Sequence, residues 1–472
     1  VMRRSFSRCF SALAEQDPER VVVVADDATL TAGALDRASN RLARAYAALG
    51  VTPDSLVAVS LSNSAELVLA CAAIWKAGAT PQPLSRGLSA RELAEVGALG
   101  RPSLSIGVEL DGVPFVPAGF EPDPALPDDE LPDIWAASWK APASSGSTGR
   151  PKIVLAAAPA LMDPSQPVAA FLPREGVQLV AGPLTHSATF TYAFRGLLTG
   201  QRLVVLPRFD EARVLAAIAE HRVTWALLVP TMIHRLLRTP GHRDVDVSSL
   251  ETVLHLGSPC PPADKRALIE WIGAERVVEV YAGSESNGLT MIRGDEWLER
   301  PGSVGRPIGG TELRVLRSDG SECAVGEPGL VQLRRGEPTY RYLGGESKRT
   351  EDGWDTLGDL GSVDADGYLT VLDRADDQIL RGGVNIYPAE IERVLEEHPA
   401  VRGAVAFGVP DAELGQAVEA VVDIAESDVT EEELLAFARE HLGSRAPRAL
   451  RLQRSPLRDD AGKVRRGTLA VD

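Results

Sequence analysis

Residues 201–238 read QRLVVLPRFDEARVLAAIAEHRVTWALLVPTMIHRLLR. QRLVVLP is strand-like and EARVLAAIAEHR is a helix by its apolar spacing; VTWALLVP and TMIHRLLR repeat the pair. Strands alternating with helices indicate a parallel sheet with helices on its faces, an α/β architecture. The same texture extends outward from this stretch. VVVVA (21–25) precedes the helical run LDRASNRLARAYAALG, which closes on Gly50. SLVAVSL (55–61) precedes AELVLACAAIWKAG, and LETVLHLGS precedes a helix from about Pro262. VPFVPAGFEPDPALPDDELPD (113–133), rich in proline and acid, reads as a surface connector.

After about Pro301 the pattern changes. ELRVLRSDGSECAVGEPGLVQLRR and GDLGSVDADGYLTVLDR carry short alternating strands parted by Ser-Asp-Gly and Ala-Asp-Gly turns, an antiparallel β subdomain over about 301–375. From Asp376 strands and helices mix again, in PAEIERVLEEHP, VRGAVAFGVP, AVEAVVDI and EEELLAFAREHL. The boundary falls at 375/376, between a large N-terminal domain (1–375) and a small C-terminal α+β domain (376–472). A chain of 472 residues is long enough to require such a division.

Charge and cysteine usage narrow the function. With 49 Lys and Arg against 66 Asp and Glu, the net charge of −17 argues against a broad nucleic-acid or anionic-membrane footprint. Any anionic ligand must therefore meet locally concentrated positive groups. The four cysteines, Cys9, Cys71, Cys260 and Cys323, show no metal or redox spacing and suit free thiols in a reducing cytoplasm. The N-terminal stretch does not read as a signal peptide, and no apolar run is long enough for a membrane span.

Chemistry concentrates in a few stretches. SSGSTGRPK (144–152) departs from the Walker spacing but shares its logic. Gly146 and Gly149 let backbone N–H groups turn toward an anion, Ser145, Ser147 and Thr148 add hydroxyls, and Lys152 adds a point charge. The preceding IWAASW (134–139) reads as a strand delivering this loop to a sheet edge. A solvated Gly/Ser connector would look similar. In YAGSESNG (281–288) an aromatic at a strand end can stack on a base, and the nearby acid can hold Mg²⁺ bridging phosphates. A core-closing tyrosine with a surface glutamate is the plain alternative. LHLGSPC (254–260) offers a small-residue turn. DTLGDLG (355–361) sets Asp359 between glycines, where a carboxylate can accept both ribose hydroxyls or merely make a turn. DRADDQILRGGVNIYPAEIE (373–392) joins the domains and would by default be solvated linker. RDDAGKVRR (458–466) would by default be a basic tail.

Taken in order, these stretches resemble the ANL superfamily of adenylate-forming enzymes, which includes acyl- and aryl-CoA synthetases, peptide-synthetase adenylation domains and luciferases. The resemblance runs from about Leu30 to Arg466. It implies that Ser145, Ser147, Thr148 and Lys152 grip the β- and γ-phosphates of ATP. Gly257, Ser258 and Pro259 would line the adenine pocket with Tyr281 against the base. Ser284 would contact the α-phosphate, and Glu285 with Thr148 would hold Mg²⁺. Asp359 and Arg374 would hold the ribose, and Asp376 would be the hinge of the C-terminal domain. Lys463 would bridge the substrate carboxylate and the α-phosphate. His186, in GPLTHSATF, would lie near the acyl pocket and thiol tunnel, and Gly382 and Gly383 would face the pantetheine thiol. His186, Phe190, Thr231, Met232, Leu256 and Gly283 are the candidates for an apolar acyl pocket.

Three positions depart from the family pattern. Ala282-Gly283-Ser284 stands where Gly-x-Thr is common, Asp373 replaces the usual glycine before Arg374, and Leu457-Arg458-Asp459 replaces Pro-x-Thr ahead of the lysine segment. GPLTHSATFTYAFRGLLTGQRLVVLPRFD, WALLVPTMIHRLLR and SVGRP look closest to stand-alone CoA ligases for bulky cyclic acids. The implied reaction is ATP-dependent activation of an aryl, alicyclic or polycyclic acid, followed by transfer to CoA. Interception by an amine, as in amide bond synthetases, or by a carrier-protein thiol are the alternatives. A non-catalytic nucleotide-binding protein is disfavoured by the retention of Lys463, Glu285 and Asp359.

Overall fold

The computed structural model describes residues 3–145, 151–381, 384–411 and 414–458, together with Val464. Ser147, Thr148, Gly382, Gly383 and Lys463 lie outside the described residues, as does the side chain of Ser145.

The alternation read from 201–238 folds as expected. Arg202–Val205, the helix Glu211–Glu220, Trp225–Leu228 and the helix Pro230–Leu237 follow one another. Asp210 accepts the Arg213 N–H and so caps the first of these helices. Six strands pair in parallel, in the order Val277–Ala282, Thr252–His255, Trp225–Leu228, Val177–Val180, Arg202–Val205, Val21–Ala25. Buried on both faces, they are runs of Val, Leu and Ala rather than alternating sequences.

The chain leaves Val177–Val180 toward Arg202–Val205, then returns to lay Trp225–Leu228 on the other side. That reversal marks a topological switch point. In open α/β sheets the carboxyl ends of the strands around such a point form a ligand crevice. The segments leaving four adjacent strands there are 181–186, 229–232, 256–260 and 283–287.

The antiparallel region continues the same sheet. Ala282 turns into Leu289–Arg293, which pairs back on Val277–Ala282, and five further antiparallel strands extend the order to Glu312–Leu316. A second, parallel sheet contains Thr80–Pro83, Leu56–Val59, Leu104–Ile106 and Phe115–Val116. The 113–133 connector is tied to the helix Ala32–Ala48, since Arg41 reaches Asp128 at 2.9 Å and Arg44 reaches Asp129 at 2.6 Å. The C-terminal residues build their own sheet and their own core, with Ile391, Leu395, Val418, Leu434 and Leu442 buried together.

One expected strand is absent. Residues 134–139 form no strand; their backbone makes scattered bonds, such as Trp139 N–H to the Ala158 carbonyl at 3.2 Å. Ala136 and Trp139 are buried in the main apolar core, so the apolar run reflects packing and not pairing. Ala143–Ser145 and Pro151–Ala156 instead pair as antiparallel strands. A third strand, Tyr340–Leu343, completes this small antiparallel sheet.

Candidate active site

At the end of Val277–Ala282 the chain turns sharply. Ser286 takes a left-handed conformation at φ 55°, and its N–H bonds the Gly283 carbonyl at 3.1 Å. A non-glycine residue held there is strained, which is characteristic of turns that aim side chains. A Cβ on Gly283 would lie 2.3 Å from Leu357 Cδ2 and 2.8 Å from Glu285 Oε2, so a larger residue here would displace both side chains. Gly257 has φ +94°, which gives the turn after Thr252–His255 its direction.

Two strings of polar contacts cross this turn. In the first, the Tyr281 hydroxyl donates to Asp359 Oδ2 at 2.6 Å, and Arg374 Nε lies 3.2 Å from Asp359 Oδ1. The sheet fixes this grouping, because Asp359 and Arg374 are direct cross-strand partners in Asp359–Val363 and Leu369–Arg374. Arg374 also donates to the Leu357 carbonyl. Burial, and then the Asp359 carboxylate, hold the Tyr281 hydroxyl well above the ordinary phenol range. The tyrosine therefore stays a neutral donor.

In the second string the Tyr342 hydroxyl donates to Glu285 Oε1 at 2.6 Å, and Lys152 Nζ sits 4.4 Å from the Tyr342 ring centroid. Thr339 Oγ1 donates to the Glu285 backbone carbonyl at 2.8 Å. Pairing of Tyr340–Leu343 with Pro151–Ala156 brings Tyr342 beside the lysine. Burial and the Glu285 carboxylate raise the Tyr342 pKa. Sequence reasoning missed Tyr342; the alternating aromatics of TYRYL were its only signal, and they specify no partner.

The remaining candidates divide. Gly257, Ser258 and Pro259 stand at the exposed mouth of the turn after Thr252–His255. His186 is the N-cap residue of the helix Ser187–Leu198 and is half-buried. Leu256 packs with Ala188, Tyr192 and Phe171 against the strands Trp225–Leu228 and Thr252–His255. Thr231 is half-buried and Met232 buried at the start of Pro230–Leu237.

Phe190 departs from expectation. It is fully buried, with ring centroids 4.5 Å from Phe194, 5.9 Å from Trp75 and 6.0 Å from Trp139. Residues 190, 193, 194 and 197 form the core stripe of their helix, so Phe190 belongs to the core, while Ala188 and Tyr192 pack against the strand residues Trp225, Leu254 and Val280.

Ser284 is half-buried inside the 283–287 turn. Asp376 lies in the turn joining Leu369–Arg374 to Ile379–Arg381. Asp373, the unexpected acid, accepts the Arg374 N–H at 2.7 Å and the Ala389 N–H at 2.8 Å. It thus ties the last N-terminal strand to the first turn of the helix Pro388–Glu396. Arg458 pairs with Glu392 of the same helix at 3.2 Å.

Comparison with known proteins gives these contacts a setting. The family model for AMP-binding enzymes matches residues 10–132 and 142–343, and that for the AMP-binding enzyme C-terminal domain matches 390–457. The chain is 30% identical to a 2-succinylbenzoate–CoA ligase of Bacillus licheniformis, over 97% of this chain and 98% of that protein. It is also 30% identical to the 3-[(3aS,4S,7aS)-7a-methyl-1,5-dioxo-octahydro-1H-inden-4-yl]propanoyl:CoA ligase of Mycobacterium tuberculosis, over 98% and 97% of the two. Among solved structures, the amide bond synthetase McbA from Marinactinospora thermotolerans superposes with a TM-score of 0.81 at 26% identity, covering 98% of each chain. The chain belongs to the AMP-binding enzyme family, the adenylate-forming group whose motifs it carries in order from the Gly/Ser loop to the C-terminal domain.

Proposed function

We propose that this protein activates a cyclic or aryl carboxylic acid with ATP, releasing pyrophosphate, and passes the acyl group from the adenylate to the thiol of CoA. The observation that carries the reading is one turn, 281–285, which holds both polar strings at the carboxyl end of a strand of the parallel sheet. Tyr281, Asp359 and Arg374 would place the nucleoside, with Gly257, Ser258 and Pro259 along the base. Ser145, Ser147, Thr148 and Lys152 would take the β- and γ-phosphates, and Ser284 the α-phosphate.

The donor set suits magnesium. Glu285 offers one hard carboxylate, and among the described residues no group of three His, Cys, Asp or Glu could hold a metal. Mg²⁺ characteristically takes one or two carboxylates and completes its shell with phosphate oxygens and water. Bound by Glu285 and Thr148, it would neutralise phosphate charge during the displacement.

Lys463 would bridge the attacking carboxylate and the α-phosphate, easing the approach of two anions. Rotation of residues 376–472 about Asp376 would withdraw that lysine and present Gly382 and Gly383 to the incoming thiol. The acid would lie among His186, Ala188, Tyr192, Thr231, Met232, Leu256 and Gly283, an apolar surround that excludes water from the reactive adenylate. The proposed domains are 1–375 and 376–472.

The amide-forming reading is the alternative, supported by the whole-chain likeness to an amide bond synthetase. Four free cysteines support a reducing, cytoplasmic setting, and no helix among the described residues is long and apolar enough to cross a membrane. The test is mass spectrometry of products from purified protein, ATP, Mg²⁺ and a panel of cyclic and aryl acids, with CoA, with a simple amine, or with neither. Acyl-CoA supports the ligase reading, and amide with little thioester moves the protein to the amide synthetases. Absence of any AMP-linked product across the panel overturns both.

A further inference from the structure

Three lysines are buried among the described residues, and two of them are paired in the ordinary way. Lys76 Nζ bonds Asp36 at 2.6 Å, and Lys265 bonds Glu279. Lys140 differs. It is 5% exposed; among the described residues its ammonium bonds two neutral hydroxyls, Ser187 Oγ and Thr191 Oγ1, each at 2.7 Å, and lies 5.0 Å from the Trp139 ring centroid. An ammonium has three N–H donors, and no carboxylate lies within ion-pair distance of this one among the described residues. An uncompensated buried charge is costly, so a fold that retains one has a use for it.

The helix Ser187–Leu198 shows where that use lies. Positions 187, 191 and 195 recur every fourth residue and form one stripe of Ser, Thr and Arg. The guanidinium of half-buried Arg195 makes no hydrogen bond or ion pair among the described residues. The adjacent stripe carries Ala188 and Tyr192, which pack with Leu256 and Phe171 in the candidate acyl site. Two cations without acid partners thus border an apolar surround, in a chain of net charge −17. Burial, and then Arg195, hold the Lys140 pKa down at about 7, while Glu285 opposes them. An arriving anion would restore the full charge of the lysine.

We propose that Lys140, with Arg195 beside it, is a specificity subsite for a second carboxylate on the substrate acid, so that the preferred substrates are cyclic dicarboxylic acids. The inference rests on the ligase reading, in which one carboxylate goes to the adenylation centre and the second needs a cation of its own. A charge-assisted hydrogen bond in a dry site discriminates strongly against a ligand that lacks it.

The experiment compares 3-phenylpropanoate with 3-(2-carboxyphenyl)propanoate in pyrophosphate release by wild type, Lys140→Met and Arg195→Leu. Wild type is expected to favour the diacid by at least about tenfold in kcat/KM. Lys140→Met should raise KM for the diacid about 30-fold, leaving the monoacid and ATP values within about threefold. Arg195→Leu should act in the same direction more weakly, and it keeps the test open if the first variant folds poorly. Equal losses on both acids with a raised KM for ATP would assign Lys140 to the phosphates and overturn the proposal, as would a wild type indifferent to the second carboxylate. Pyrophosphate release from no acid at all would instead overturn the ligase reading beneath it.

Discussion

Glu285 accepts a short hydrogen bond from Tyr342 at 2.6 Å, and in the proposed reading its carboxylate would also meet the cation that accompanies the phosphates. The tyrosine orients that carboxylate while itself lying under Lys152. Tyr342→Phe removes one hydrogen bond to a charged acceptor and leaves the ring, so Lys152 keeps its platform. The expected result is a KM for magnesium–ATP higher by about 3–10-fold with KM for the acid unchanged. Pyrophosphate release measured against magnesium–ATP and against acid in turn reads this split. A change confined to the acid would remove Tyr342 from the nucleotide side. Phe190 makes the opposite case, since its ring is spent on Trp75, Trp139 and Phe194. Phe190→Ala should cost about 3–5 kcal/mol of stability while the ranking of acids stays as in wild type. Thermal unfolding beside an acid panel checks both halves.

At the scale of elements, what could be read from the sequence depended on how local the cause was. Strand–helix alternation over 201–238 is set by spacing within a dozen residues, and the structure follows it almost residue for residue. The hairpin Asp359–Val363 with Leu369–Arg374 is set by its Ala-Asp-Gly turn, and it brings Asp359 opposite Arg374. By contrast, Tyr340–Leu343 pairs with Pro151–Ala156 across most of the N-terminal domain, and no local pattern specifies such a partner. IWAASW has the composition of a strand, yet Trp139 is there to fill a core. Phe190 follows the same logic, since an apolar residue that lines a pocket and one that fills a core look alike in sequence. Asp373, visible only as a departure from a family pattern, links two elements. Its carboxylate holds the first turn of Pro388–Glu396 against Leu369–Arg374. Asp373→Ala should free that turn at a cost of about 1 kcal/mol, the usual value of a lost cap. Limited proteolysis should then cut near Asp376–Gln378 several-fold faster than in wild type. An unchanged cleavage rate would leave Asp373 with no part in tethering the helix.

Across the whole molecule, the acids that outnumber the bases are mostly exposed or paired, and Glu396 is one that is neither fully. It belongs to the helix Pro388–Glu396 and accepts the Ala404 N–H at 3.1 Å. Arg458 stands 3.9 Å away, Glu392 is on the same helix, and Asp264 of the N-terminal region acts on it as a like charge. Burial pushes the Glu396 carboxyl up to about 7; Arg458 opposes this, and Glu392 and Asp264 add to it. A carboxyl raised in the folded state favours folding least when it is ionised. Below its unfolded value near 4.5 it costs nothing; the cost accumulates from there to about pH 7 and stays constant above. Glu396→Gln keeps the acceptor for Ala404 and removes the titration. The variant should therefore melt within about 1 °C of wild type at pH 5 and roughly 2–4 °C higher at pH 8. The same two pH values should separate the proteins in limited proteolysis of the C-terminal domain, because helix Pro388–Glu396 carries both the Asp373 tether and the Arg458 pair. Equal stabilisation at both pH values would mean that the Gln side chain simply packs better. A lower melting temperature at pH 8 would mean that the ion pair with Arg458 outweighs the burial of the charge.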